Sequence, residues 1–174
     1  APGAVISFGA ASGAANGRIG GAAGANRIGA LSITDAATVT FNGEVFVSSL
    51  TQSAGSTLTT FNQAVNAAGN IDLNGVAITL NGGVTTSAGG SVTITNSGQL
   101  TIASAADMSL AGLFLQDGAG SVSTGGDIVT TGDTIDFSAD ITLTESVLLD
   151  TGAGANISFS NAATIDDGAG GPWN

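Results

Sequence analysis

An apolar residue returns every 21 or 22 positions along this chain of 174 residues. Ile6, Ile28, Leu50, Ile71, Val92, Leu113, Ile135 and Ile157 follow one another at spacings of 22, 22, 21, 21, 21, 22 and 22. A beat of that length, kept without repeating the same sequence, marks a solenoid in which each repeat adds one coil to a rod. No other feature of the chain restricts its fold so strongly.

The residues around each anchor define the kind of solenoid. Two places on, the chain is mostly apolar again, as at Phe8, Leu73, Ile94, Leu115, Phe137 and Phe159, with Gln52 the polar exception. The residue between is mostly small or polar, with Phe114 the exception. Alternation with period two belongs to strands that bury one face. Parallel sheets usually bury both faces, and a β-helix is the case in which only the inside is dry. Two looser ladders lie between the anchors. One runs through Phe41, Phe61, Leu80, Ile102, Val122, Leu143 and Ile165, the other through Val47, Val65, Val84, Met108, Ile128 and Leu149. The expected fold is therefore all-β, a right-handed parallel β-helix (β-solenoid) of about eight coils of 21–22 residues, with up to three strands per coil. A β-sandwich would also alternate, but it has no reason to keep this beat. Residues 1–174 read as a single β-solenoid domain, with 166–174 as a short C-terminal tail.

Corners are marked by Asn-Gly at Asn16-Gly17, Asn42-Gly43, Asn74-Gly75 and Asn81-Gly82, a pair suited to positive φ. The two prolines, Pro2 and Pro172, lie at the ends, where no ladder hydrogen bond is interrupted.

Composition narrows the function. The net charge is −11 and the only basic side chains are Arg18 and Arg27, which argues against nucleic acid as a partner. No run of eighteen apolar residues is present, so no membrane span is expected. Histidine, lysine, cysteine and tyrosine are absent, so a lyase would lack its basic group and a sugar site most of its usual aromatic platforms, and the chain is not expected to be an enzyme. No cofactor is expected either. Calcium is the one metal the composition suits, with Asp127, Asp133, Asp136 and Asp140 as weak candidates. Thr-x-Thr pairs at Thr38, Thr93 and Thr142 suggest an ice-binding array, but they do not recur at one phase of the beat, so no continuous array is expected.

Assembly is the stronger expectation. The opening Ala-Pro-Gly without an initiator Met points to a processed chain or to a piece of a longer one. Ala4 to Phe8 is already apolar, so the first coil lacks a polar cap, and an open solenoid end invites pairing. Only Asp35, Glu44 and Asp72 are acidic among the first hundred residues, whereas ten acids follow. A rod with a weakly basic start and an acidic end favours head-to-tail contact. The subunit-interface candidates are Arg18, Arg27, Asp166, Asp167 and Trp173. The expected function is a structural β-solenoid subunit that stacks head to tail into an extracellular filament, fibre or sheath. The alternative is a stalk segment of a long cell-surface adhesin.

Three strand motifs carry a resemblance: DTGAGANISFSN over Asp150 to Asn161, GNIDLNG over Gly69 to Gly75, and GGSVTITN over Gly89 to Asn96. They resemble the repeats of large secreted bacterial surface proteins of the filamentous haemagglutinin and β-strand-repeat type. What the resemblance implies is an extracellular or cell-surface β-helix serving as an adhesin stalk or matrix fibre. Cell-surface or matrix glycans are the partners it implies besides the chain itself.

Overall fold

Short alternating segments separated by small-residue corners stack here as parallel strands. The computed structural model describes residues 4–9, 17–21, 26–152, 154–160 and 163–168. Trp173, Pro2, Pro172, Asn16 and Asn161 lie outside the described residues. In chain order the strands are β1 (Val5–Phe8), β2 (Ile28–Ile33), β3 (Ala36–Phe41), β4 (Val45–Gln52), β5 (Gly55–Phe61), β6 (Val65–Ala67) and β7 (Ile71–Gly75). There follow β8 (Ala77–Leu80), β9 (Val84–Thr86), β10 (Val92–Asn96), β11 (Leu100–Ile102), β12 (Met108–Leu110), β13 (Phe114–Gln116) and β14 (Val122–Thr124). The chain closes with β15 (Ile128–Thr130), β16 (Ile135–Phe137), β17 (Ile141–Leu143), β18 (Leu149–Asp150), β19 (Ile157–Phe159) and β20 (Ile165–Asp166).

These strands make a three-sided parallel β-solenoid. The first face is the sheet β1-β3-β5-β8-β11-β14-β17-β20. The long strand β4 serves the other two, pairing through Val45–Val47 with β6 and through Leu50–Gln52 with β7. The second face continues through β9, β12, β15 and β18, the third through β10, β13, β16 and β19. Among the described residues six coils carry strands on all three faces, from β3 to β19, fewer than the eight expected. The difference lies at the ends: β1, an isolated bridge at Ile19 and β2 form an irregular first coil, and β20 stands alone beyond the last.

Pairing corrects the anchor ladder at three positions. The inward row of the third face is Leu31, Leu50, Ile71, Val92, Phe114, Ile135 and Ile157. Leu113 lies at a corner and is 36% exposed, while Phe114 is fully buried. The run Leu113-Phe114-Leu115 has no polar residue to set the phase, and a slip of one residue exchanges the two faces of a strand. Ile28 pairs with Val47 and is exposed, and Leu31 holds the core position expected of it. Ile6 lies on the first face, paired with Val39, so its spacing of 22 to Ile28 is a coincidence of the irregular first coil.

The looser ladders are corrected similarly. Phe41, Phe61, Leu80, Ile102 and Leu143 do share one row, but Val122 and Ile165 belong to the neighbouring inward row with Val39, Ile78, Leu100 and Ile141. On the second face the row begins at Val45, not Val47, and continues through Val65, Val84, Met108, Ile128 and Leu149.

Inside, like stacks on like. The rings of Phe8, Phe41 and Phe61 stack nearly parallel, with centroids 4.7 and 4.5 Å apart. This is the strand spacing itself, so in-register parallel pairing sets the aromatic geometry. Near the other end Phe137 and Phe159 stack, and the Phe114 ring lies tilted at 51° against Phe137.

The Asn-Gly corners work by a different physics from the one expected. Gly43, Gly75 and Gly82 do not adopt positive φ. A Cβ on Gly43 would sit 2.3 Å from the Gly17 carbonyl carbon, and one on Gly82 would sit 2.4 Å from that of Gln63. Glycine is needed there because backbones of successive coils pass too closely for a side chain. The asparagines beside them stack: Asn62 Nδ2 donates to Asn42 Oδ1 at 3.1 Å, and Asn81 Nδ2 to Asn62 Oδ1 at 3.0 Å.

Candidate functional site

The first amide of many strands bonds to a backbone carbonyl of a neighbouring coil, and the amide one residue earlier is often taken by a polar corner side chain of the preceding coil. Asp107 Oδ1 accepts from the Asp127 amide at 3.0 Å, and Asp127 Oδ1 from the Leu148 amide at 2.7 Å. Asn70 Oδ1 takes the Ser91 amide and Ser91 Oγ takes the Leu113 amide. Asp140 Oδ1 accepts both the amide and the hydroxyl of Thr164, each at 2.8 Å. Those bonds, the backbone one foremost, hold the Asp140 carboxyl below the usual carboxylate range. Asp136 Oδ1 accepts from Ser160 Oγ at 2.8 Å, and the Asp133 carbonyl accepts from Thr130 Oγ1.

The four calcium candidates are thus spread over separate corners and strands, three of them with side chains bonded to the following coil. Among the described residues no three acidic side chains come together as a metal site. No helix of the described residues is long and apolar enough to cross a membrane.

The interface candidates sit at the ends. Arg18 pairs with Glu44 and lies 5.4 Å from the Phe46 ring centre. Arg27 donates to the Asn66 carbonyl at 2.7 Å, to Asn66 Oδ1 and to the Val47 carbonyl. Both cations therefore tie the irregular first coil to its neighbours. Asp166 is exposed on β20, and Asp167 follows it.

At the ends the core rows come into the open. Ile157, Phe159 and Ile165 are 41, 37 and 48% exposed, although Ile135, Phe137 and Ile141 below them are buried. At the opposite end the inward residues Ile6 and Phe8 are half-buried, although Val39 and Phe41 beside them are buried.

One surface array was not expected from the sequence. On the outside of the first face, Ser7, Thr40, Thr60, Thr79, Thr101, Ser123 and Thr142 pair one to one on successive strands. The Thr-x-Thr pairs themselves do not recur at one phase: Thr38 pairs with Leu58, Thr93 lies on the third face, and Thr142 stands in the column of Thr40, which single hydroxyl residues continue. Thr-x-Thr was the wrong unit. The repeating unit in three successive coils is Thr-x-Asn, at Thr40-Phe41-Asn42, Thr60-Phe61-Asn62 and Thr79-Leu80-Asn81. The three units stand 20 and 19 residues apart and the column reaches Thr101 after a further 22, too uneven a series to show without the strand register.

Comparison with known proteins returned no match to a protein-family model, to a curated protein or to a solved structure.

Proposed function

We propose that this chain is a non-enzymatic mechanical rod whose coils continue, by head-to-tail stacking, into an extracellular filament, fibre or sheath. The observation that carries the reading is the exposed end rung formed by Ile157, Phe159 and Ile165. Each is an inward-row residue that no further coil covers among the described residues, and covering each would contribute on the order of 1 kcal/mol. The free edges of β18, β19 and β20 offer parallel pairing at the same place. Continuing the parallel pairing of the coils needs a strand that runs in the same direction, which head-to-tail contact supplies and head-to-head contact does not.

The same rung is equally served by further coils of one long chain, and that is the second reading: a stalk segment of a cell-surface adhesin. The resemblance of the strand motifs to secreted bacterial repeat proteins supports both, together with an extracellular or cell-surface setting and glycans as partners.

Electron microscopy of the native material, with the mass of its denatured chain, tests the proposal. Filaments built from a chain near 16.5 kDa, with a rise of about 35–40 Å per subunit, are the expected result. Ile157→Asp should then abolish them while leaving monomers folded. A much longer native chain in single rods would replace the filament with the stalk.

A further inference from the structure

The hydroxyl column of the first face has three properties that together specify a partner. It is regular: seven hydroxyl residues follow on paired strands without a register shift among them, at the strand spacing of about 4.8 Å. It is free: the hydroxyls of Thr40, Thr60, Thr79, Thr101, Ser123 and Thr142 are bonded to no other described side chain. It is uncharged: from Ser7 to Ser123 neither the column nor the Asn42–Asn62–Asn81 row beside it carries an ionised group, on a chain of net charge −11. The amide row lies at the corner just past the ends of these strands, two residues on from the hydroxyls, and its own hydrogen bonds hold it in place.

A single threonine hydroxyl at a surface gains little over water. A row of them gains only against a partner that repeats at the same interval, because all contacts then share one loss of translational and rotational freedom. A dissolved small molecule does not repeat, and a protein partner would want aromatic or arginine anchors, which this face lacks. A sugar polymer would want exposed aromatic rings, yet Phe41 and Phe61 point inward and are buried. Water frozen into a lattice is neutral, periodic and bonded through donors and acceptors alike, and its oxygen repeat is close to the spacing of paired strands. Threonine is suited to meet it, since its branched Cβ restricts χ1 and little side-chain freedom remains to be lost.

We propose that the Ser7–Thr142 hydroxyl column, with the Asn42–Asn62–Asn81 amide column beside it, adsorbs to the surface of an ice crystal. The site is distinct from the end rungs and does not depend on whether the rods stack.

Ice-affinity partitioning of the full chain, with crystal habit followed in a nanolitre osmometer, tests this. Three single variants are compared: Thr79→Lys and Thr101→Lys on the column, and Thr93→Lys on the outside of the third face. Circular dichroism checks that each retains its β-sheet signal. The expected result is enrichment of the parent chain and of Thr93→Lys in the ice, with faceted crystals, and loss of both effects in the folded column variants. Exclusion of the parent chain from ice overturns the proposal, as does equal partitioning of all three variants. Binding of the parent chain to crystalline cellulose or chitin without enrichment in ice also overturns it, and makes the face a polysaccharide site.

Discussion

Gln116 illustrates how a solenoid interior tolerates a polar residue. It occupies an inward position between Ile94 and Phe137 and is fully buried. Its Nε2 donates to Asn96 Oδ1 and to the Gly118 carbonyl, both at 2.8 Å, and its Oε1 accepts the Ser138 amide at 3.0 Å. Asn96 in turn donates to the carbonyls of Gly98 and Gly120. The two amides thus bond the corner backbones of three coils together. No described buried polar side-chain atom lacks a partner. Gln116→Leu keeps the volume but strands Asn96 Oδ1, while the Ser138 amide keeps its bond to the backbone carbonyl of residue 116, and a loss of about 1–3 kcal/mol is expected. Urea unfolding checks it; a loss below about 0.5 kcal/mol would mean that water takes over these bonds. Gln52 was legible in sequence as an exception to the alternation, but not as a buried one. Its partner Thr59 comes from the next strand across a corner, and the contact needs the coil to close.

At the scale of the element, strands of three residues such as β11 or β16 could not stand alone, and each gains its place from the strands on either side. Stacked rings make this coupling strongest where Phe61 lies on Phe41. Phe61→Ala would leave a cavity beneath the Leu80 rung and remove one ring of the stack. A cost of about 3–5 kcal/mol is expected. Because repeats contact mainly their neighbours, hydrogen exchange should rise around β3, β5 and β8 far more than around β16. A uniform rise along the rod would show instead that the coils unfold as one unit. The existence of strands was legible from alternation, whereas their phase was legible only where a polar residue interrupts it. Leu113-Phe114-Leu115 offers no such interruption, and only pairing with β10 and β16 assigns Phe114 to the core.

For the whole molecule, the acidic second half acquires a structural meaning. Asp107, Asp127 and Asp140 each accept an amide of the following coil, so part of the acidic charge also joins the coils of the rod. The depressed Asp140 carboxyl contributes stability that is present above its unfolded value and lost as pH falls through its lower folded value. Acid should therefore release Thr164, and with it β20, before the central coils. The Thr164 amide resonance should hold steady through the ordinary carboxylate range and move only below it. In Asp140→Ala that late transition should vanish; its persistence would assign the acid sensitivity to another group. By itself the sequence determined the solenoid, because a period of 21 to 22 residues and alternation within it are local properties that every coil must repeat. Register, and everything that depends on it, was decided by the tertiary structure. Corner lengths vary from coil to coil, so residues that stack are not equally spaced in the chain. The hydroxyl column, the asparagine row and the true anchor at Phe114 become visible only when hydrogen bonding between coils aligns them.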